Sequence, residues 1–253
     1  MKIKILTLAD GFGDSIANPS WYPEYHKWPT ILELVTKNTE VLNLSRYGAG
    51  NEYIVGLLRQ HYKESNMVFV QWATPSRLDL LLGHNQSINT QWQDIIRNDP
   101  VYYDNIKSLD GNQWWISSGS RQSWVKEYHN KFISEKQHQF RSKLWIEYAY
   151  QILKGRPHGF MLTADSLYLD GIDVPLDAWV WHKEWRGMDD WRFHSLYRDL
   201  DLGVTQPIPL IHFDFIKQFI MPKFDLPWRS EKEINAVENM LLRKYNLYKG
   251  QKP

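Results

Sequence analysis

The sequence predicts an α/β fold, a three-layer sandwich in which a parallel sheet of about five strands lies between helices. Along the first third of the chain, short apolar runs alternate with amphipathic stretches, a pattern typical of βαβ units. Apolar residues make up 43% and charged residues 23% of the 253 residues, the balance of a globular protein with a well-filled core. We therefore expect a single domain over residues 1–253, interrupted by an insertion.

Three strands and two crossover helices account for the first part of the predicted sheet. The strands are short and apolar and precede small or turn-forming residues, while the helices carry apolar positions at helical spacing. The predicted elements are strand Ile3–Leu8, helix Trp28–Thr36, strand Glu40–Leu44, helix Glu52–Tyr62, strand Met67–Trp72 and, near the end of the chain, helices Pro209–Ile220 and Glu231–Tyr245.

The pattern changes beyond Pro75, where a segment rich in Trp, Gln, Asn and Tyr precedes the next predicted strand at Gly159–Thr163. We expect a mostly helical insertion at about 83–155, with one long helix or two abutting helices over Ser123–Leu153. The resulting sheet resembles flavodoxin-like sheets, which bind ligands at the carboxyl ends of their strands.

Composition excludes several classes of partner. Lys and Arg number 30 against 29 Asp and Glu, so the chain has no basic field for nucleic acid. No apolar run reaches the roughly 20 residues of a membrane helix, and we expect no membrane partner. The first apolar run is too short for a signal peptide, which predicts a cytoplasmic protein. The absence of cysteine fits a reducing compartment or a virion exposed outside cells.

A serine follows the first predicted strand in the segment Gly11-Phe12-Gly13-Asp14-Ser15. This position lies at the carboxyl edge of a parallel sheet, and the glycines permit a tight turn that exposes the hydroxyl group. The alternative is an ordinary turn in which Asp14 or Ser15 caps the following helix. The segment therefore indicates either a nucleophile with a neighbouring substrate-binding carboxylate or a structural cap.

Two further segments extend the pattern, namely Asn43 to Ile54 (NLSRYGAGNEYI) and Val68 to Arg77 (VFVQWATPSR). With the Gly13-Asp14-Ser15 turn, they resemble the first three sequence blocks of the SGNH/GDSL hydrolases, especially in phage-encoded relatives. The resemblance implies that Ser15 is the nucleophile and that the backbone N–H of Gly48 forms part of an oxyanion hole, which lowers the barrier by several kcal/mol. Asn51 would point its amide to the same region or fix the loop.

The third block departs from the family, because its usual Gly-x-Asn-Asp is absent. The second oxyanion donor would then come from Thr74, Ser76 or Asn51, or be missing. Arg77 would either clamp an anionic or polar group of the substrate or form a surface ion pair.

A dinucleotide site is the competing interpretation of Gly48-x-Gly50, which follows a strand and opens a helix. Tyr53 stands where the third glycine of that fingerprint belongs, and the segment follows the second strand instead of the first. We therefore expect no nucleotide cofactor. We also expect no metal, because His182, Asp189, Asp190 and His194 lack the spacing of known metal motifs.

The last block of the family, Asp-x-x-His-Pro, is degenerate. If Pro207 is the family's proline, Gln206 stands in the place of the histidine and Gly203 in the place of the aspartate. Gln cannot act as a general base. Either His212 or His194 takes over that task, oriented by Asp201 or Asp190, or His212 is a packing residue and the site is inactive.

Two functions stay open at this point. The first is a serine esterase or deacetylase that acts on a small acyl ester, such as an O-acetyl group on a glycan. The second is a catalytically inactive SGNH-like protein that binds other virion proteins or has a structural role in a phage particle. Its thirteen tryptophans would then supply stacking or interface surfaces, although core packing accounts for most such residues.

Overall fold

The structure of the chain is a computed structural model. The structure describes residues 2–9, 26–46, 49–75, 77, 79–82, 103–107, 113–116, 127, 131, 134–162, 171–180 and 209–249. Its strands are β1 (Ile3–Leu8), β2 (Thr39–Asn43), β3 (Met67–Trp72), β4 (Asp79–Leu82), β5 (Tyr103–Lys107), β6 (Gln113–Ile116) and β7 (His158–Leu162). Its helices are α1 (Trp28–Val35), α2 (Asn51–His61), α3 (Glu135–Leu153), α4 (Pro209–Phe215, continued by a π-helical turn at Ile216–Ile220) and α5 (Glu231–Lys249).

The main sheet has the strand order β2-β1-β3-β7, and all of its described pairs are parallel. This confirms the predicted α/β fold in its general form, a parallel sheet with flanking helices. Parallel neighbours need crossover connections, and α1 and α2 provide the first two of these. The chain moves outward from β1 to β2 and then crosses back to β3, so the connections change direction between β1 and β3.

A second, smaller sheet has the antiparallel order β4-β6-β5. Two of its strands lie within the segment at 83–155 for which the sequence predicts mostly helix. Of that prediction, helix α3 is present in the structure, and it begins after Ser134, whose side chain accepts a hydrogen bond from the Gln137 N–H. The strands β5 and β6 escaped prediction because their sequences, YDNIK and QWWI, show neither strict alternation nor a continuous apolar run.

Two hydrophobic clusters cover the two faces of the main sheet. One contains Ile5 and Phe69 together with apolar residues of α1, α4 and α5. The other contains Leu6, Val68 and Val70 together with apolar residues of α2 and α3. Successive residues of one strand enter different clusters, as expected for a sheet buried on both sides.

The helices α1, α2 and α3 each lead into the next parallel strand, so each begins at the carboxyl edge of the sheet. The chain leaves α4 at the opposite edge, where the Lys37 N–H donates to the Pro227 carbonyl at 2.6 Å and the Arg229 N–H to Val35 at 2.9 Å. Helix α4 therefore also begins nearer the carboxyl edge. Within the described ranges, no helix has the length and apolar composition needed to cross a membrane.

Candidate active site

The residues predicted for the site divide into two groups. Ser15, Asp14 and Gly48 lie outside the described residues, as do the alternative candidates Ser76, Asp190, His194, Asp201, Gly203, Gln206 and Pro207. Asn51, Thr74, Arg77 and His212 are described, and the first three follow the carboxyl ends of β2 and β3.

The connection between β2 and α2 is fixed on both sides of Gly48. The Arg46 N–H donates to the carbonyl of Ala9 at 3.0 Å, and the Ala49 N–H donates to the carbonyl of Arg46 at 3.1 Å. Because Ala9 directly follows β1, the first of these bonds ties the loop to the strand that leads towards Ser15. The loop that carries the predicted oxyanion donor is thus anchored at the end of β1.

Asn51 joins the same loop to the end of β3. Its Oδ1 accepts from the Ala73 N–H at 2.8 Å, while its Nδ2 donates to the Ala73 carbonyl at 3.2 Å and to Ser142 Oγ at 3.1 Å. A side-chain amide carries two donor hydrogens, and both have acceptors here. Of the two roles expected for Asn51, the geometry favours fixing the loop.

Asp79 is a site residue that the sequence did not indicate. It lies at the start of β4 with a side chain that is almost completely buried. Its Oδ1 accepts from the Gly50 N–H and its Oδ2 from the Tyr53 N–H, each at 3.0 Å. These two donors belong to the N-terminus of α2, which has no side-chain cap of its own because Gly50 occupies the N-cap position.

Burial raises the pKa of the Asp79 carboxyl to about 7. The hydrogen bonds from the Tyr53 and Gly50 N–H groups lower this pKa, the negative charge of Glu52 raises it, and the positive charge of Arg77 lowers it. Desolvation is the largest of these effects, because the carboxylate form loses its water when the chain folds. The result is a carboxyl group whose charge changes in the neutral pH range.

Arg77 and Thr74 belong to the segment that carries Asp79. The Arg77 guanidinium donates to the carbonyl of Ala49 at 3.0 Å, and the Arg77 N–H donates to the carbonyl of Thr74 at 3.4 Å. Both side chains are half-buried. Arg77 therefore binds the Ala49–Gly50 peptide, a role that neither of the two sequence interpretations had included.

The first turn of α2 lies against α3 at Arg141 and Ser142, about two turns after the start of α3. Glu52 and Arg141 form an ion pair of 2.7 Å in which both side chains are 30% exposed. Burial raises the pKa of Glu52. The positive charge of Arg141 lowers this pKa, as does the hydrogen bond that Arg141 donates. With the Asn51–Ser142 bond, this pair fixes α3 against the start of α2.

Two basic side chains near the carboxyl edge are fully buried. His212 lies in α4 with 0% of its surface exposed, between neighbours that belong to the hydrophobic cluster of α1. Lys27, which precedes α1, is 1% exposed, and the next residue, Trp28, donates from Nε1 to Gln71 at 2.7 Å. The sequence indicated His212 but gave no signal for Lys27, since a single lysine before a helix is ordinarily exposed.

Replacing Gly50 by alanine tests the contact with Asp79. An added Cβ would lie 2.6 Å from Asp79 Oδ2 and 3.1 Å from the Cβ of Arg77. The backbone at Gly50, with φ of −99°, is accessible to alanine, so the effect comes from the contact. We expect Gly50→Ala to lower the free energy of unfolding by about 1–2 kcal/mol in urea titrations.

The control is a double-mutant cycle with Asp79→Ala, which removes the side chain that the new methyl group would meet. In that background we expect Gly50→Ala to cost less than half as much. An equal cost in both backgrounds would contradict the proposed contact.

No family model, curated protein or solved structure matches this chain. Among the residues that the structure describes, no group of three or more His, Asp or Glu side chains is arranged to hold a metal ion. The functional assignment therefore depends on the sequence blocks and on the geometry around Asn51, Arg77 and Asp79.

Proposed function

We propose that this protein is an SGNH/GDSL-type serine esterase or deacetylase that acts on a small acyl ester, such as an O-acetyl group on a glycan. The observation that carries the proposal is the hydrogen-bonded junction at the carboxyl edge. There the loop containing Gly48 is tied to the end of β1 through Ala9 and to the end of β3 through Ala73. These are the three loops that carry the sequence blocks resembling the family.

The strand order supports this proposal. In doubly wound sheets, ligands bind at the carboxyl edge where the direction of the connections changes, and here that point lies between β1 and β3. Ser15 follows β1 in the sequence. The proposal includes a complete three-layer sandwich with about five strands, the size typical of open α/β sheets.

In the proposed reaction, Ser15 Oγ attacks the acyl carbon and its proton passes to a general base. The Gly48 N–H stabilises the negative charge that develops on the carbonyl oxygen. The base then returns the proton to the leaving alcohol, and water hydrolyses the acyl-enzyme by the same steps in reverse. We assign the base to His212, because α4 begins nearer the carboxyl edge and its first turn carries this imidazole. Thr74, Arg77 and Asp14 would contact the substrate at its periphery.

The test is covalent labelling of the serine. We expect a serine-directed fluorophosphonate to modify Ser15, as located by peptide mass spectrometry, and Ser15→Ala to lower hydrolysis of p-nitrophenyl acetate by at least about 1000-fold. Ser65→Ala is the matched control, because Ser65 lies two residues before β3, at the opposite edge of the sheet. Absence of labelling at Ser15, or equal turnover by Ser15→Ala, would refute the esterase.

One specific observation favours a second function. The chain lacks the family's Asp-x-x-His-Pro, and with Pro207 as the family's proline, Gln206 and Gly203 stand in the places of its catalytic histidine and aspartate. This substitution favours an inactive SGNH-like protein that binds other virion proteins in a phage particle and is made in the cytoplasm before assembly. Stoichiometric presence in purified virions, together with no labelling of Ser15, would support this second function over the first.

A further inference from the structure

We propose that Asp79 is a positioning residue for the chemistry at Ser15, holding the loop that carries Gly48 in the conformation that the reaction needs. This inference rests on the proposed esterase function. Asp79 acts through the backbone and is assigned no contact with the substrate.

The geometry of the carboxylate is the first argument. Each of its oxygens accepts one backbone N–H, from Gly50 and from Tyr53, at 3.0 Å. The peptide before Gly50 is bound on its other side, because the carbonyl of Ala49 accepts from Arg77. Asp79 and Arg77, two residues apart in the chain, thus bind the N–H and the carbonyl group, respectively, of the Ala49–Gly50 peptide.

The origin of the cap is the second argument. Helices are normally capped by a Ser, Thr, Asn or Asp at the N-cap itself, which would satisfy the same donors locally. Here the N-cap is Gly50, and the carboxylate belongs to Asp79, which lies 29 residues after Gly50 and 26 residues after Tyr53. A cap from another loop ties the end of β2 to the end of β3, which a local cap would not do. The absence of a Cβ on Gly50 is what admits the carboxylate so closely.

The charges around Asp79 are the third argument. From α2, Glu52 faces it with a like charge, and from its own segment Arg77 faces it with an opposite charge. Arg141 of α3 compensates Glu52 through their ion pair. The ionised carboxylate accepts hydrogen bonds through both of its oxygens, whereas the protonated carboxyl group carries an O–H donor on one of them. Burial raises the pKa of Asp79 to about 7, so the fully bonded form is populated from neutral pH upwards.

The experiment compares the full-length protein with Asp79→Asn, an almost isosteric variant that accepts only one of the two hydrogen bonds. We expect kcat for p-nitrophenyl acetate to fall by about 10- to 100-fold with KM changed less than about threefold, since small displacements of a catalytic group cost rates of this order. We also expect the amide NMR signals of Gly50 and Tyr53 to titrate with a midpoint near pH 7 in the wild type and not in Asp79→Asn.

Glu233→Gln is the matched control. Glu233 accepts from the Ser230 N–H at 2.8 Å and caps α5 at the opposite edge of the sheet. This variant also removes a carboxylate cap. We nevertheless expect it to keep the kcat of the wild type and the pH dependence of the amide NMR signals of Gly50 and Tyr53. An equal loss of kcat in both variants would overturn the proposal, as would a wild-type kcat and pH profile in a folded Asp79→Asn.

The NMR measurement separates this inference from the proposed function. If the wild type hydrolyses no ester, the esterase is refuted, and the loop is then judged from the amide signals of Arg46 and Ala49. Displaced signals in Asp79→Asn would support positioning of this loop by the carboxylate. Unchanged signals would overturn it.

Discussion

Replacing Gly159 by alanine is expected to lower the free energy of unfolding by about 3 kcal/mol, because the strand has no room for a methyl group at this position. An added Cβ in β7 would lie 2.6 Å from Val180 Cγ2, 2.9 Å from Phe224 Cζ and 2.9 Å from Phe69 Cδ1. Phe69 and Phe224 already pack edge to face with ring centroids 4.9 Å apart. Three side chains of the core would have to move at once, and close-packed interiors resist such displacement.

The measurement is equilibrium unfolding in urea, followed by tryptophan fluorescence. Gly155→Ala is the control for the general effect of removing a glycine, since its φ of +80° is unfavourable for alanine but nothing lies within 4 Å of an added Cβ. We expect that control to lose about 1 kcal/mol through its backbone conformation alone. If Gly159→Ala were no less stable than Gly155→Ala, the result would contradict the close packing of Val180, Phe224 and Phe69 around Gly159.

The parts of the fold that the sequence predicted are those with a strong local signal. Strand β3 is six consecutive buried and mostly apolar residues, and the last four residues of β1 are likewise buried. The structure confirms Ile3–Leu8 and Met67–Trp72 with the predicted bounds, and α2 begins one residue earlier than predicted. Local patterns were sufficient there because each element buries enough apolar surface to show its own periodicity.

The second sheet could not be predicted in the same way. Strand β4 pairs with β6 across more than thirty positions of sequence, and Asp79 lies opposite Ile116. Such pairing depends on which segments meet in space, and no periodicity in four residues records it. The Trp-rich composition of the region was visible, but composition does not distinguish a strand from a helix.

Asp79 illustrates why the site was only partly predicted. The sequence analysis related the glycine at position 50 to nucleotide binding or to the family pattern. In the structure, the space that a side chain of Gly50 would fill is occupied by the carboxylate of Asp79, from another loop. The predicted start of the helix at Glu52 made Asn51, a good capping residue, the N-cap, whereas in the structure the N-cap is Gly50 and the acceptor must come from elsewhere. Which acidic residue supplies that acceptor is a matter of tertiary structure.

The pH dependence of stability is the second large effect that we expect, and Asp79 is its source. The ordinary pKa of this carboxyl is 3.8, and burial raises it to about 7 in the folded protein. Between these values the folded state binds more protons than the unfolded state, so the stability contribution of Asp79 falls as pH rises from about 4 to 7. At about 1.4 kcal/mol per pKa unit, the loss is on the order of 4 kcal/mol.

Urea titrations of the wild type and Asp79→Asn at pH 4, 6 and 8 check this expectation. The uncharged amide cannot titrate, so we expect the difference between the two proteins to change across the series. At pH 4, where Asp79 is protonated in the folded protein, the two should be about equally stable. At pH 8, where the wild type holds a buried charge, Asp79→Asn should be the more stable by roughly 2–4 kcal/mol. A constant difference between pH 4 and pH 8 would contradict the raised pKa.

A variant that is more stable and less active would also explain why an aspartate stands at this position. Active sites often trade stability for function, and a buried carboxylate that lowers stability at neutral pH fits that pattern. Asparagine would cap the start of α2 at a smaller cost in desolvation, but it would leave either Gly50 or Tyr53 without an acceptor. The combination of a higher free energy of unfolding and a lower kcat in Asp79→Asn is therefore the result that separates a positioning carboxylate from a structural helix cap.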